Sequence, residues 1–186
     1  MNQTEKKKKA ILEVTFALLN EKEINNITVD EIAEKAIVSK VTIFKYYKNK
    51  NHLMNIVIMR AFEHMAKEIE EVIKSNLNFE ETYEAITRMK ISQLEKYSSI
   101  FLENLMTQYT HDPEFFDNDA INAQMEIYNE LFEKGQSEGK IDSNLTKEDF
   151  MFVINIFLEG MKSLSADTLF KRTDLITRFF VNGLKG

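Results

Sequence analysis

The sequence predicts an all-α protein in which a three-helix head containing a helix-turn-helix precedes a longer helical body, about nine helices in all. Three observations predict it. Apolar residues recur at helical spacing, and beyond Asn49 no stretch alternates apolar with polar residues as a half-buried strand would. Glycine is absent until Gly135, so little interrupts the helical pattern before that point. Finally, capping signals fall where one periodic stretch gives way to the next: Thr28 with Glu31, Ser39, Asp112 before Pro113, and Thr146 with Asp149.

In order, the first helix places Ile11, Val14, Thr15 and Leu18 on one face with Leu12, Phe16 and Leu19 beside it, a wide stripe suited to packing under two shorter helices. The four lysines before it, Lys6 to Lys9, read as a frayed, solvated terminus, with an arm reaching phosphates as the alternative. Thr28 and Glu31 form a capping box for the second helix, whose stripe is Val29, Ile32, Ala33 and Ala36. Ser39 is the next N-cap, so the second helix ends by Ile37 and a third runs to about Tyr46, anchored by Ile43 and Tyr47. Asn49 to about Ser75 makes one long helix, spanning roughly 40 Å at 1.5 Å per residue. Further helices are expected at Glu80 to Tyr97, Ser98 to Thr110, Pro113 to Ser137, Thr146 to Ala166 and Thr173 to Leu184, with Gly135 and Gly139 as a stop. The expected domains are 1–48 and 49–186.

The third helix carries no acid and has Lys40 in its first turn, against the preference of the helix dipole for carboxylates there. Lys45, Lys48 and Lys50 continue the basic run. Such a helix, one short turn after another, suits a phosphate rod with the second member in the major groove; a small bundle with a solvated lysine face fits the same pattern. Net charge is −6, but its distribution is uneven: up to Arg60 there are 11 basic against 7 acidic side chains, thereafter 13 against 23. A basic head on an acidic body is compatible with nucleic acid despite a pI near 5.3. With no cysteine, disulfides and thiolate chemistry are excluded, and a reducing cytoplasm is the expected compartment. The longest apolar run, Phe150 to Leu158, is far short of the roughly 20 residues that span a bilayer, and no membrane association is expected. His52, His64 and His111 are scattered without metal-ligand spacing, and no nucleophile elbow or phosphate loop is present, so neither enzyme activity nor a cofactor is expected.

From Ala10 to Val57 the chain resembles the TetR/AcrR family of bacterial transcriptional regulators. Thr28-Val29, Glu31-Ile32-Ala33, Ala36, Val38-Ser39-Lys40, Thr42, Tyr46, Lys50 and Leu53 stand at the spacing of that family's head. Three positions depart from it: Ile37 and Val41 where the family usually has glycine, and Phe44 in place of a phosphate-binding tyrosine. Ile37 then either bears strain at positive φ or reshapes the turn, Val41 can press on a thymine methyl, and Phe44 becomes a packing or apolar base contact. The resemblance implies a DNA interface with Ser39, Lys40, Val41, Thr42, Phe44 and Lys45 toward bases, and Thr28, Tyr46, Lys48 and Lys50 on phosphates.

It also implies a homodimeric, ligand-responsive regulator on a double-stranded operator, most simply a repressor; a constitutive or nucleoid-associated DNA binder of the same fold is the alternative. The helix from Thr146 is apolar nearly all round and must be covered on two sides. Val153, Phe157, Gly160, Met161 and Leu164, with Leu175 and Phe179 from the last helix, are the expected dimer contacts. Twelve of the 14 Phe and eight of the nine Met lie beyond residue 48, an adaptable lining for an apolar or aromatic effector or else plain core. The residues expected at such a site are Phe62, His64, Met65, Met89, Phe101, Met106, Tyr109, Phe116, Met125 and Tyr128.

Overall fold

The computed structural model describes residues 2–184 other than 113, 114, 116 and 117, and omits the side chains of 62–66, 94, 118–121, 123 and 170. The fold is all-helical. Among the described residues there are nine α-helices: α1 (Gln3–Glu21), α2 (Val29–Lys35), α3 (Lys40–Tyr46), α4 (Lys50–Ile73), α5 (Phe79–Leu94), α6 (Ser99–His111), α7 (Asn118–Ser137), α8 (Lys147–Met161) and α9 (Ala166–Gly183). A short 3-10 turn, η1 (Ile24–Asn26), joins α1 to α2. No described helix is long and apolar enough to cross a membrane.

The chain forms two compact units, the first made of residues 1–63 and 97–108, the second of 64–96 and 109–186. This is not a single cut between residues 48 and 49, because the first half of α4 and most of α6 pack with the head. In the first unit Ile11, Leu18 and Leu19 of α1, Ile32 of α2, Ile43 of α3, Leu53, Met54 and Ile58 of α4, and Phe101 of α6 are essentially inaccessible. Each such side chain contributes about 1.5–3 kcal/mol of burial, which makes this small head a rigid support. Asn104 of α6 ties it together. Its carboxamide oxygen accepts from the Ile24 N–H at 2.7 Å, and its nitrogen donates to the Leu19 and Lys22 carbonyls at 2.8 Å each. The break between α1 and α2 thus has its backbone groups satisfied from a helix some 80 residues away.

The second unit is built round Phe79, Phe132, Ile141, Phe150, Ile154, Phe180 and Leu184. Phe150 and Phe157 meet Phe180 edge-on at 5.8 and 5.6 Å. Three local expectations need correction. Gly135 does not stop α7; it lies inside the helix, where a Cβ would come within 2.5 Å of Ile141 and 3.0 Å of Phe79. The stop is Gly139 at φ +65. The last helix begins at Ala166, seven residues before the expected start, because Ser165 caps it by accepting from the Thr168 N–H at 3.2 Å. Lys6 to Lys9 are neither frayed nor an arm: they are the first turns of α1, which Asn2 and Glu5 close with a reciprocal capping box.

Candidate nucleic-acid interface

The interface is built on the junction of α2 and α3. Thr28 opens α2 by accepting from the Glu31 N–H at 3.1 Å, as expected, but the reciprocal half of that capping box is not made. The Glu31 carboxylate instead takes Lys22 at 2.6 Å and Lys35 at 3.4 Å, and the ammonium groups hold its pKa below the usual carboxylate range. At the other end, Val38 N–H bonds the Ala33 carbonyl at 2.9 Å and Ile37 N–H bonds that of Glu34 at 3.2 Å. This is the Schellman pattern, which requires a left-handed residue between cap and exit. That residue is Ile37, at φ +54 and 91% exposed.

Ser39 then opens α3. Its hydroxyl accepts from the Thr42 N–H at 3.1 Å and lies 2.9 Å from the Thr42 hydroxyl. Ile43 and Tyr47 are buried and fix the helix to the head. Lys40, Val41, Phe44, Lys45 and Lys48 face solvent, with Val41 78% and Phe44 49% exposed. Lys40 pairs with Asp30 of α2 at 2.8 Å, so part of the negative charge that α3 lacks is supplied from the neighbouring helix. Lys45 and Lys48 have no ion-pair partner among the described residues. Tyr46 is half-buried, with the Lys8 ammonium 5.2 Å from its ring centroid.

Lys50 is placed differently from the expectation. Half-buried, it donates to the Ile24 carbonyl at 2.7 Å, and burial pushes its pKa down. It fastens the start of α4 to η1. Next to it Asn49 caps α4 by accepting from the His52 N–H at 2.8 Å. Two features of this face were not in the expected site: Lys8, which reads as terminus in the sequence, and the exposed Ile37.

The expected effector residues fall in both units. Phe62, His64, Met65 and Phe116 lie outside the described residues. Phe101 is a core residue of the first unit, wholly buried beneath Tyr97 and Phe16 at ring distances of 4.7 and 5.4 Å. Met106 belongs to the same unit, while Met89, Tyr109, Met125 and Tyr128 are in the second. There the Tyr109 hydroxyl reaches the Leu158 carbonyl at 3.3 Å, and Tyr128 packs on the central cluster. A cleft of about 260 Å³ in the first unit is lined by Leu12, Glu13, Phe16, Val57, Arg60, Ala61 and Tyr97, none of them expected. Of the expected dimer contacts, Leu164, Leu175 and Phe179 are exposed, as is Gly160, whose α-carbon has open space beside it. Met161 is half-buried, and Val153 and Phe157 pack inward on their own core. The outward residues of α8 are Phe152 and Ile156, 67% and 55% exposed.

Residues 11–57 match the family model described as bacterial regulatory proteins, tetR family. The negative transcriptional regulator of the biofilm operon icaADBC, IcaR of Staphylococcus aureus, is 25% identical over 158 residues, 82% of this chain and 81% of that protein. Residues 11–57 thus carry the head described by that tetR family model. An uncharacterised HTH-type transcriptional regulator of Bacillus subtilis, YdeS, is 50% identical over 54 residues, covering 29% of this chain and only a quarter of that protein's length. The TetR-type fold extends over nearly the whole chain. The crystal structure of the transcriptional regulator FadR from Bacillus subtilis in complex with stearoyl-CoA superposes with a TM-score of 0.72 at 17% identity, covering 94% of this chain and 97% of that one.

Proposed function

We propose that this chain is a TetR-family, homodimeric DNA-binding regulator, a repressor that a small apolar or aromatic effector releases from its operator. The observation that carries the DNA reading is α3 itself: seven residues without an acid, held by buried Ile43 and presenting Val41, Phe44 and Lys45 outward. Thr42 would lie toward base edges, and Thr28, Lys40, Lys45, Tyr46 and Lys48 toward phosphates. Lys50 is left out of this set because it is half-buried and one of its three donors already holds the Ile24 carbonyl. Repression is supported by IcaR, named as a negative regulator, and an apolar effector by FadR, whose structure holds stearoyl-CoA.

A dimer is favoured by exposed Phe152 and Ile156 on α8 and Leu175 and Phe179 on α9, large apolar side chains that a monomer would leave in water. Paired heads about 34–36 Å apart would meet successive major grooves on one face of the duplex. An effector must bind the non-operator geometry more tightly than the operator-bound one, since only that difference shifts the equilibrium. Its lever is α4, a helix of 24 residues and about 36 Å to which both units contribute residues.

The test is selection of binding sites from a random duplex library by the purified chain at low salt, followed by titration of the selected duplex against salt and against long-chain acyl and aromatic compounds. The expected result is an inverted repeat, binding that weakens steeply with salt, and release by a member of one compound class. Failure to enrich any sequence overturns the regulator reading; a selected operator that no compound releases overturns the effector reading alone.

A further inference from the structure

We propose that Ile37, Val41 and Phe44 form an apolar reading edge for thymine methyl groups, so that each half-site of the operator is specified by thymines rather than by a pattern of donors and acceptors. The inference rests on the DNA reading of α3 given above. Val41 and Phe44 are three residues apart on α3 and so are neighbours on one face, and Ile37 occupies the turn that leads into it. All three are large, apolar and exposed, at 91%, 78% and 49%.

Two of the three, Ile37 and Val41, are not accounted for by the fold, while Phe44 is about half covered. Ile37 buries almost nothing and sits at φ +54, a conformation that disfavours a β-branched residue, where glycine would be strain-free. Val41 is a poorer helix former than the lysines beside it and has no burial to compensate. A side chain that costs local stability and gains no internal contact is explained by what meets it from outside.

The flanking charges say what that is. Lys45 and Lys48, exposed and without an ion-pair partner among the described residues, lie next to Phe44 and just beyond α3, Lys40 beside Val41 is held only by an exposed pair with Asp30, and α3 has no acid, so a polyanion is attracted. In the major groove every base presents donors or acceptors, which an apolar side chain would bury without a partner, except for the C5-methyl of thymine. Only thymine offers this edge something to cover.

The test uses the full-length protein and its selected duplex, with deoxyuridine replacing thymidine one position at a time, which deletes only the methyl. About a fourfold loss of affinity is expected at each methyl the edge covers, the value of burying one carbon group. In Val41→Ser, the uracil penalty should vanish at one position of the half-site, and in Ile37→Gly at a different one. Lys45→Ala should weaken thymine and uracil duplexes equally. Ile37→Gly suits the backbone at that position, so a folded variant is available whatever Val41→Ser does. If no sequence is selected, the DNA reading fails and the edge with it. If a sequence is selected but uracil is tolerated throughout, or if Ile37→Gly and Val41→Ser keep every uracil penalty, the edge is overturned while the DNA reading stands.

Discussion

Replacing Ile37 by glycine should stabilise the protein. The residue is the left-handed member of the motif that ends α2, at φ +54, and conformations of that kind cost an L-residue with a β-carbon about 1–2 kcal/mol. Because the side chain is 91% exposed, deleting it forfeits almost no burial. Glycine returns roughly 0.4–1 kcal/mol through the greater freedom of the unfolded chain. The net expectation is a gain of about 0.5–1 kcal/mol, or roughly 1–4 °C in thermal midpoint for a chain of this size. The protein contains its own mirror experiment. The end of α7 uses the same pair of backbone bonds, Lys140 N–H to the Gly135 carbonyl at 2.8 Å and Gly139 N–H to that of Gln136 at 3.0 Å, with glycine at the left-handed position. A Cβ at Gly139, φ +65, meets nothing within 4 Å, so Gly139→Ile imposes the same backbone cost without a clash. Thermal unfolding of the two variants should therefore move in opposite directions by similar amounts. A loss of stability in Ile37→Gly, or shifts of the same sign in both, would refute the reasoning.

Three further outcomes follow from the packing. Asn104→Ala removes three hydrogen bonds and leaves the Ile24 N–H buried without a partner, which should cost roughly 3 kcal/mol in chemical denaturation; Asn104→Asp should not recover it at neutral pH, because a buried carboxylate oxygen would then face the Leu19 and Lys22 carbonyls. Gly135→Ala should lose about 1 kcal/mol although alanine is the better helix former, because its Cβ would lie 2.5 Å from Ile141 Cδ1, and trimming that contact with Ile141→Val should cancel much of the loss. Lys45→Ala should reduce the salt slope of DNA binding by about two units, one for each head of the dimer, and leave the thermal midpoint unchanged. Lys50→Met should do the reverse, since it deletes a charged bond to a backbone carbonyl worth roughly 1.5–3 kcal/mol; a slope change in Lys50→Met would return that residue to the footprint.

The head was legible because its signals are local. Thr28 and Ser39 cap within three residues of themselves, and Ile43 and Tyr47 declare their burial through helical spacing alone. What escaped depends on partners far off in the chain. Lys50 belongs to the same motif as the phosphate contacts, yet its bond is to a carbonyl 26 residues earlier. Glu31 was expected to reach back to Thr28 and is taken by Lys22 instead. Nothing local distinguishes Asn104 from any polar residue on a helix. The start of α9 was missed because its cap, Ser165 with Thr168, lacks the carboxylate or amide three residues on that marks a capping box. Among the aromatic residues, spacing could not separate Phe101, which is core, from a cavity lining.

A count of charges treats every lysine of the head alike, and the structure sorts them. Lys50 is tied to a carbonyl, Lys22 to Glu31, and Lys8 stands over the Tyr46 ring, so these ammonium groups support the face instead of forming it. On the proposed reading Lys45 and Lys48 remain for phosphates, and Lys40 would join them by exchanging Asp30 for DNA. That exchange costs little, because an exposed pair of this kind is worth about 0–1 kcal/mol in water. Three phosphate contacts per head make about six in a dimer, and counterion release then gives a salt slope of about −5. A slope of that size supplies moderate non-specific affinity. The discrimination between sequences has to come from the uncharged edge of α3, where Ile37, Val41 and Phe44 stand exposed and carry no charge for salt to screen.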